Sequence, residues 1–494
     1  MTGASRPRDR GTHGERPFLT ESDTDNLQPT RFESIFEAVG DSGGLGEAFA
    51  CASRSTRAQL SGITPDEAVV RDVGAGVLAP AMTGFCLWLL HRAEALGLRR
   101  LYFLSRDGHL VLEVARALAP RLGLNIDLRY LLCSRKAFVP ACVTATTPEQ
   151  LAMAFEDSPV FSVRVCFERL GIAPETVSDA LSGGGFPEES WGRNLSSEAR
   201  TQLQHVVVTA PAVSEAVIKN ASSLRDVLWD FLVQEGLLDG TPFGLVDLGW
   251  KASTQRALVR LLATQHGAAG GAPVRPHGLY FGLDCDGTVG PAGLDAEGYF
   301  ADGQRQTGFW RNDLPQLAAI LEPMCTIGHG TVTGYQRKDG RVEAVLAPSA
   351  SSVYEKWHFD VLRKTVRCFA QQIVPTTDMA REAGVLTQPV YDAVVTLWMH
   401  PDLQEAKVWG VLPLGDRLGA IDFSDQYAKR HGWPDVLRTL SDGVIREPEG
   451  SIWFAGSFVQ DSALMRLVLR IARRVGGAWS GLLRLFGRGR TADG

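Results

Sequence analysis

The sequence predicts an α/β fold in which a Rossmann-like parallel sheet carries a helical insertion and the chain ends in a basic amphipathic helix. β-type runs at 99–104 and 126–132 flank a helical pattern, which is the βαβ arrangement of a parallel sheet. The stretch 147–240 has helical patterning throughout, so we expect it to be an insertion. Arginine and apolar residues alternate at helical spacing near the C-terminus.

The composition is that of a globular protein with more than one folded unit. The chain has 494 residues, of which 45% are apolar and 21% are charged, so two or three domains with a sizeable core are expected. A net charge of −6 gives no reason to expect nucleic acid as a partner. The eight cysteines include no C-x-x-C pair, which argues against zinc ribbons and redox motifs and fits a reducing cytoplasm.

Neither a signal peptide nor a transmembrane span is expected. The first 17 residues are polar, and the longest apolar run, 77–90, is short for a span and contains Pro80 and Gly84. It has the pattern of a core helix. We therefore expect a cytoplasmic protein, with a peripheral position on the inner membrane face as the alternative.

The elements are expected in a regular order. Residues 1–28 are polar and predicted to be disordered. Helical patterns cover 32–50, 77–98 and 110–118, and the last of these ends at Pro120 and Gly123. Later elements are strands at 245–247 and 278–283, a helix to about 262, a hairpin over 330–346 around Lys338-Asp339-Gly340, and helices from 352 to 398.

These elements group into successive parts of the chain. The predicted parts are the first section of the α/β domain at 29–145, the insertion at 146–240, a second section with the hairpin at 241–350, a helical region at 351–460 and the basic tail at 461–494.

A polar turn follows the first predicted strand. It reads Ser105-Arg106-Asp107-Gly108 and lies at the ligand-binding end of a parallel sheet. Gly108 permits a ligand to approach the backbone closely, and the guanidinium of Arg106 can bind phosphate through two N–H groups. Asp107 has the chemistry of a base or a metal ligand. Ser105 adds a hydroxyl to this predicted phosphate-binding turn. The alternative is a turn whose side chains only cap and pair.

A second turn follows the strand that contains Asp247. Lys251, Ser253 and Thr254 come just before a helical pattern, where backbone N–H groups at a helix start face an anion. We predict that these three residues bind phosphate. The alternative is an ordinary strand-to-helix turn with Ser253 or Thr254 as the N-cap.

Two carboxylates meet if the strands before Asp107 and Asp247 are neighbours. Such a pair suits Mg²⁺, which prefers oxygen ligands and offsets the charge of a phosphate. We therefore predict Asp107 and Asp247 as catalytic residues and metal ligands, with Mg²⁺ as the cofactor.

A third acidic motif follows the strand at 278–283. Asp284-Cys285-Asp286-Gly287-Thr288 matches the DxDGT signature of haloacid-dehalogenase (HAD)-type phosphatases. The resemblance implies that Asp284 attacks phosphorus and that Asp286 handles the leaving-group proton. The alternative is a loop with two solvated acids, because no helix pattern follows.

The C-terminal tail is basic and amphipathic. Between Ala463 and Arg490 there are seven arginines and no acidic residue, and the apolar residues share one side of a helical wheel. Gly476-Gly477 is expected to bend this helix. The pattern is typical of a segment on an anionic membrane, and we predict such a surface as a partner through Arg466–Arg490. The alternatives are docking on the protein's own acidic surface or an RNA-binding tail.

Several of these motifs occur in the order found in one bacterial family. The chain resembles predicted HAD-superfamily hydrolases that accompany, or are fused to, glycosyltransferases of surface-polysaccharide loci. The segments that carry the likeness are 76–80 with Gly84, Phe85 and Trp88, 101–108, 134–135, 246–250 with 254–255, and 278–283. The likeness covers roughly residues 70 to 425. Those proteins generally carry a phosphatase-type domain ahead of the matched segment, whereas the D-x-D sequence that precedes Val77 here, Asp23-Thr24-Asp25, lies in the polar segment predicted to be disordered.

The resemblance implies a HAD-like hydrolase or phosphotransfer protein acting on a phosphorylated sugar or nucleotide sugar in cell-surface polysaccharide biosynthesis. One alternative is a non-catalytic nucleotide- or phosphate-binding module that partners glycosyltransferases. Another is a phosphoribosyltransferase-like enzyme, because Asp247 with Ser253-Thr254 is similar to that family's acidic-then-hydroxyl loop, although Leu248 and Ala252 break the pattern.

Overall fold

A computed structural model describes most of the chain. It covers residues 27–40, 44–156, 158, 160–266, 275–284, 294–302, 309–348, 357–413 and 426–487. The segment predicted to be disordered, 1–28, lies almost wholly outside the described residues.

Among the described residues, four α-helices precede the sheet. They are α1 (Arg31–Glu37), α2 (Leu45–Gln59), α3 (Pro65–Val73) and α4 (Ala79–Ala95). The single helix expected over 32–50 is thus two helices. Helix α2 begins after Gly44, whose φ of +65° is readily adopted only by glycine.

Helices α3 and α4 are joined by a π-helical turn, Gly74–Leu78, into one continuous run. Among the described helices this run, Pro65–Ala95, is long and apolar enough to cross a membrane, but 94% of its most apolar window is buried inside the protein. Its position is that of a core helix.

The first βαβ unit matches the sequence prediction. It consists of β1 (Arg100–Leu104), α5 (Gly108–Leu118) and β2 (Asp127–Leu131). The two strands pair in parallel, with Arg100 opposite Asp127 and Leu104 opposite Leu131.

Six α-helices follow in the described part of this stretch, as the patterning of 147–240 predicts for most of them. They are α6 (Arg135–Ala141), α7 (Pro148–Leu151), α8 (Val163–Leu170), α9 (Ser178–Gly183), α10 (Ser197–Thr209) and α11 (Pro211–Gln234). Residues between Val143 and Ala221 form an apolar cluster of their own, centred on the fully buried Trp191.

The chain then returns to the sheet. The elements are β3 (Phe243–Trp250), α12 (Ser253–His266), β4 (His277–Leu283), β5 (Ala296–Asp302) and α13 (Phe309–Cys325). Strand β5 was not predicted, because Glu297 interrupts its apolar pattern. In the structure this carboxylate pairs with Arg92 through two hydrogen bonds of 2.7 and 2.8 Å.

The five strands form one parallel sheet in the order β2-β1-β3-β4-β5. The chain moves outward from β1 to β2 in one direction and then from β3 to β5 in the other. The order therefore reverses between β1 and β3. The crevice at such a reversal is where open α/β sheets bind ligands.

The predicted hairpin is confirmed as β6 (Val332–Lys338) and β7 (Arg341–Leu346), an antiparallel pair. Asp339 and Gly340 have φ values of +49° and +76°, as a two-residue hairpin turn requires. Val332 and Val342 pack with helix α11 and strand β2 and belong to a separate apolar cluster from the main core.

The C-terminal third is helical. Its elements are α14 (Phe359–Gln372), α15 (Thr377–Glu382), α16 (Thr387–Met399), α17 (Leu403–Gly410), α18 (Trp433–Asp442), α19 (Phe454–Gln460) and α20 (Ala463–Gly487). Apolar residues from Leu362 to Trp453 share the main core with α4, α5 and the sheet.

Gly476-Gly477, where the sequence predicts a bend, lies within α20. Helix α20 is continuous through both residues, and Gly476 is buried against α18. A Cβ at Gly476 would lie 2.6 Å from the carbonyl oxygens of Thr439 and Leu440. Glycine is thus required here for close packing between two helices.

Candidate functional site

The sequence left open whether the strands before Asp107 and Asp247 are neighbours, and the structure shows that they are. Strands β1 and β3 pair in parallel, and their last paired residues are Phe103 and Val246. Asp247 therefore lies at the carboxyl end of β3, and Asp107 lies in the turn that leaves β1. Both acids stand where the strand order reverses.

The two carboxylates are close enough to repel each other. Burial raises the pKa of Asp247 well above its ordinary value, and the negative charges of Asp107 and Glu322 raise it further. Burial and the charge of Glu322 raise the pKa of Asp107 to about 7, against an opposing effect of Arg106. Both acids keep part of their surface accessible, so a ligand can reach them.

Glu322 is the third acid of the site, and the sequence interpretation missed it. It lies near the end of α13, and its Oε1 accepts a hydrogen bond of 2.6 Å from the indole nitrogen of Trp250, the last residue of β3. A signal was present in the sequence, since Glu322 is the only acidic residue in the apolar run 314–325. An acid in such a run is costly unless it has a specific role.

The nearby cations do not neutralise these acids. Arg106 and Arg135 exert only a longer-range lowering effect on the pKa values of Asp107 and Asp247 respectively. Within the part of the chain that the structure describes, neither guanidinium forms an ion pair. The site therefore combines three neighbouring acids, two of them with raised pKa values, with two guanidinium groups.

Ser105 and Gly108 have structural roles in the first turn. The hydroxyl of Ser105 donates to the carbonyl of Cys133 at 2.7 Å and accepts from the backbone N–H of Cys133 at 3.1 Å. This joins the ends of β1 and β2. Gly108 begins α5, and a Cβ there would lie 3.1 Å from the backbone of Phe103.

The second predicted turn is at the start of α12. Lys251 is exposed, Ser253 is buried and Thr254 is partly buried. The hydroxyl of Ser253 accepts a hydrogen bond of 3.2 Å from Arg256. Among the described residues, none of the three predicted phosphate ligands is hydrogen-bonded to Asp107 or Asp247.

Backbone strain also occurs in this turn. Ala252 has a φ of +50°, in the left-handed region that non-glycine residues seldom adopt. Its side chain is buried against Tyr280 and Leu283, which hold the turn in place. Residues in such conformations concentrate at ligand-binding sites.

Of the DxDGT motif, Asp284 is described and Asp286 lies outside the described residues. The backbone N–H of Asp284 donates to the carbonyl of Trp250 at 2.6 Å, so Asp284 directly follows β4 beside the end of β3. It does not contribute to the raised pKa values of Asp107 and Asp247.

Two histidines and a tyrosine lie beside the acids at the end of β2. The hydroxyl of Tyr130 is 2.7 Å from Nε2 of His329, and Nδ1 of His329 is 2.9 Å from the carbonyl of Gly330. The ring of His109 meets Tyr130 edge-on at 5.2 Å. Burial lowers the pKa of His109, which favours a neutral imidazole next to the carboxylates.

The acidic side chains of the site could supply only part of the coordination shell of Mg²⁺. Across the described ranges, no group of three or more His, Cys, Asp or Glu side chains is placed to hold a metal ion. Mg²⁺, however, is commonly held by one or two carboxylates, with water and substrate phosphate completing its shell. Asp107 and Asp247 are oxygen donors at the carboxyl ends of neighbouring strands and match that smaller requirement.

A separate surface groove lies away from the acids, between α6, α8 and the hairpin. Its charged residues are paired with one another, since Lys136 contacts Glu168 at 2.6 Å and Arg164 contacts Glu175 at 2.8 Å. This groove therefore has little free charge with which to bind an ionic ligand.

No protein-family model matches the sequence, and no curated protein is significantly similar to it.

Proposed function

We propose that the chain is a HAD-like hydrolase or phosphotransfer protein, and that its substrate is a phosphorylated sugar or nucleotide sugar of cell-surface polysaccharide biosynthesis. The observation that carries this proposal is the meeting of Asp107 and Asp247 at the reversal of strand order, with Glu322 beside them. The order β2-β1-β3-β4-β5 supports a Rossmann-like, doubly wound sheet, in which ligands bind at that reversal.

In this proposal the acids and the guanidinium groups have different tasks. Asp247 and Asp107 would hold Mg²⁺, which when bound offsets negative charge on a phosphate. Arg106 and Arg135 would bind phosphate oxygens, because a guanidinium matches their geometry. With a pKa of about 7, Asp107 is suited to hold or release a proton at its carboxyl oxygen near neutral pH.

The clustering of acids that disfavour one another's ionised form is the physical reason for assigning a cationic cofactor and an anionic substrate together. Three neighbouring carboxylates are costly without a positive partner. A divalent ion removes that cost and in turn attracts phosphate. The helix start at Ser253 and Thr254 adds backbone N–H groups at the same edge of the sheet.

The test is hydrolysis of a panel of sugar phosphates and nucleotide sugars by the full chain with Mg²⁺. Asp247→Asn should reduce turnover by about 10³-fold or more, the scale of losing a key charged group. Asp284→Asn is the matched control, since it changes an acid at the end of the neighbouring strand. Equal activity of wild type and Asp247→Asn would contradict the proposal, and loss in Asp284→Asn alone would favour the DxDGT motif.

A second measurement does not require the substrate to be known. Mg²⁺ should raise the Tm of the wild type by mass action and leave that of Asp247→Asn unchanged. If Mg²⁺ stabilises the wild type and nucleotide sugars bind, but no substrate is turned over, the chain is a non-catalytic binding module that partners glycosyltransferases. Release of pyrophosphate from a phosphoribosyl donor would favour the phosphoribosyltransferase-like alternative.

A further inference from the structure

Helices α18 and α20 pack side by side and run parallel. His431, just before α18, bonds to Asp461, just before α20. Further along, Val436 packs with Leu469, and Gly476 lies against the end of α18. Successive contacts thus join residues in the same chain direction on both helices.

The packed sides of the two helices are not their most apolar sides. Leu469 and Ala472 of α20 are buried, whereas large apolar residues elsewhere on both helices are exposed. These residues, which we call the apolar face, are Trp433 (68% exposed), Leu437 (66%), Leu440 (37%), Leu464 (71%), Leu467 (54%), Ile471 (52%) and Val475 (43%).

The two halves of the apolar face open in the same direction. Successive residues of an α-helix are rotated by about 100° around its axis. On α18, the exposed apolar residues therefore lie about 95° around the axis from the residues that pack on α20. On α20, the exposed apolar residues lie about 125° around the axis from the residues that pack on α18, and this rotation has the opposite direction. Because the helices are parallel and face each other, opposite offsets place both stripes on one side of the pair.

Positive charge accompanies this face. Arg466, Arg470, Arg473 and Arg474 lie on the polar sides of α20, and the helix has no acidic residue. Within the described residues none of the four forms an ion pair, and Arg470 lies over the ring of Phe458 at 5.7 Å. The apolar face therefore has a strongly cationic helix as one of its two sides.

We propose that the apolar face docks the protein on an anionic lipid surface. Lipid headgroups would neutralise the arginines, while the apolar side chains enter the boundary of the acyl region. Trp433 is suited to that boundary, because its ring is amphipathic. A second copy of the chain is a poorer occupant, since a symmetric contact would bring two sets of the same arginines together.

The structure adds α18 to the segment that the sequence predicted. One side of α20 packs on α18, while the apolar stripe of residues 464–475 is exposed. The inference does not depend on the proposed function, since no residue of the apolar face belongs to the carboxylate site.

The experiment is co-sedimentation of the full chain with vesicles of phosphatidylcholine alone or mixed with phosphatidylglycerol. Binding should require phosphatidylglycerol and weaken as salt increases. The double variant Leu437→Glu/Leu467→Glu should bind these vesicles about tenfold more weakly, or weaker still. Val374→Glu, at an equally exposed position in another part of the chain (73% exposed), is the matched control and should bind like the wild type.

A spectroscopic readout identifies the contact directly. Brominated lipid should quench tryptophan fluorescence in the wild type, and Trp433→Phe should remove much of that quenching. Absence of binding to phosphatidylglycerol vesicles, or unchanged binding of the double glutamate variant, would overturn the proposal. So would a double variant that only changes the oligomeric state in analytical ultracentrifugation, which would identify a second copy as the occupant.

Discussion

Asp107, Asp247 and Glu322 form, at the residue scale, a cluster of acids whose ionisation lowers the stability of the fold. Each ionised carboxylate repels the others in partly desolvated surroundings. Such groups persist where function requires them, and replacing them commonly stabilises the fold. The polar groups of Gln255, by contrast, are satisfied, since its amide bonds to the carbonyls of Pro276 and Asp295 and accepts from Tyr280.

The first prediction is that Asp107→Asn stabilises the metal-free protein. The pKa of Asp107 is about 7 in the folded state, against roughly 3.9 for an unfolded aspartate. Its ionisation therefore opposes folding, so the free energy of unfolding falls as pH rises through this window. With EDTA present, Asp107→Asn should raise the free energy of unfolding by about 0.5–2 kcal/mol at pH near 8 and by less at pH near 5.

Thermal unfolding at the two pH values measures this effect. Asp239→Asn is the control, because it should destabilise the protein where Asp107→Asn stabilises it. A hydrogen bond from Arg100 lowers the pKa of Asp239 to about 2, so its carboxylate favours folding above roughly pH 4. Asp239→Asn should lower the Tm at neutral pH. A lower Tm for Asp107→Asn in EDTA would show that its carboxylate stabilises the fold.

At the scale of elements, a buried ion pair holds the start of α18 beside the start of α20. Nδ1 of His431 is 2.8 Å from Asp461, and Nε2 is 2.9 Å from the carbonyl of Arg446. Both partners are acceptors when Asp461 is ionised, so both ring nitrogens donate and the imidazole is positively charged. The geometry of the apolar face depends on this connection.

The second prediction concerns its pH dependence. Burial alone would lower the pKa of His431, but the bonds to Asp461 and to the Arg446 carbonyl raise it overall. A raised folded pKa gives stability that is fully present below the unfolded value of about 6.5 and is lost as pH rises through the folded value. Protection of α18 and α20 against hydrogen exchange, corrected for intrinsic rates, should therefore decrease above neutral pH.

Asp461→Asn should lower the His431 pKa and remove most of this pH dependence, whereas Asp435→Asn, which removes a weaker nearby charge, should lower the pKa less. NMR titration of the imidazole provides the measurement. A wild-type pKa below 6.5 would contradict the assignment of a charged histidine.

At the scale of the whole molecule, the apolar residues are divided among several clusters. The main core unites α1 to α5 with the sheet and the C-terminal helices, whereas the residues from Val143 to Ala221 pack mainly with one another. Trp191 is fully buried in this second cluster, and its indole donates to the carbonyl of Phe186 at 2.9 Å. Local unfolding of such a unit is expected when its cluster is weakened.

The third prediction is that Trp191→Ala weakens the second cluster without disturbing the sheet. Removing a buried tryptophan should cost about 3–5 kcal/mol within that unit. Hydrogen exchange measured by mass spectrometry should show lost protection in α8 to α10 and retained protection in β1 and β3. Trp433→Ala, at an exposed position, is the control. Loss of protection across both units would show that they unfold together.

Local patterns predicted much of the sheet. Alternation and turn residues located β1 to β4 and the hairpin, because those signals depend only on neighbouring residues. Strand β5 escaped detection because Glu297 needs Arg92, which lies far away in the sequence. The packing role of Gly476 could not be predicted either, because it depends on a distant helix that occupies the space of the missing side chain.

The sequence by itself determined that carboxylates follow two predicted strands and that the C-terminal helix is basic and amphipathic, because these features depend on residue type and spacing. Only the tertiary structure decided that β1 and β3 are neighbours, that Glu322 completes the acidic cluster, and that α18 shares the apolar face with α20. Strand order and helix pairing arise from contacts between residues far apart in the chain, and no local pattern encodes them.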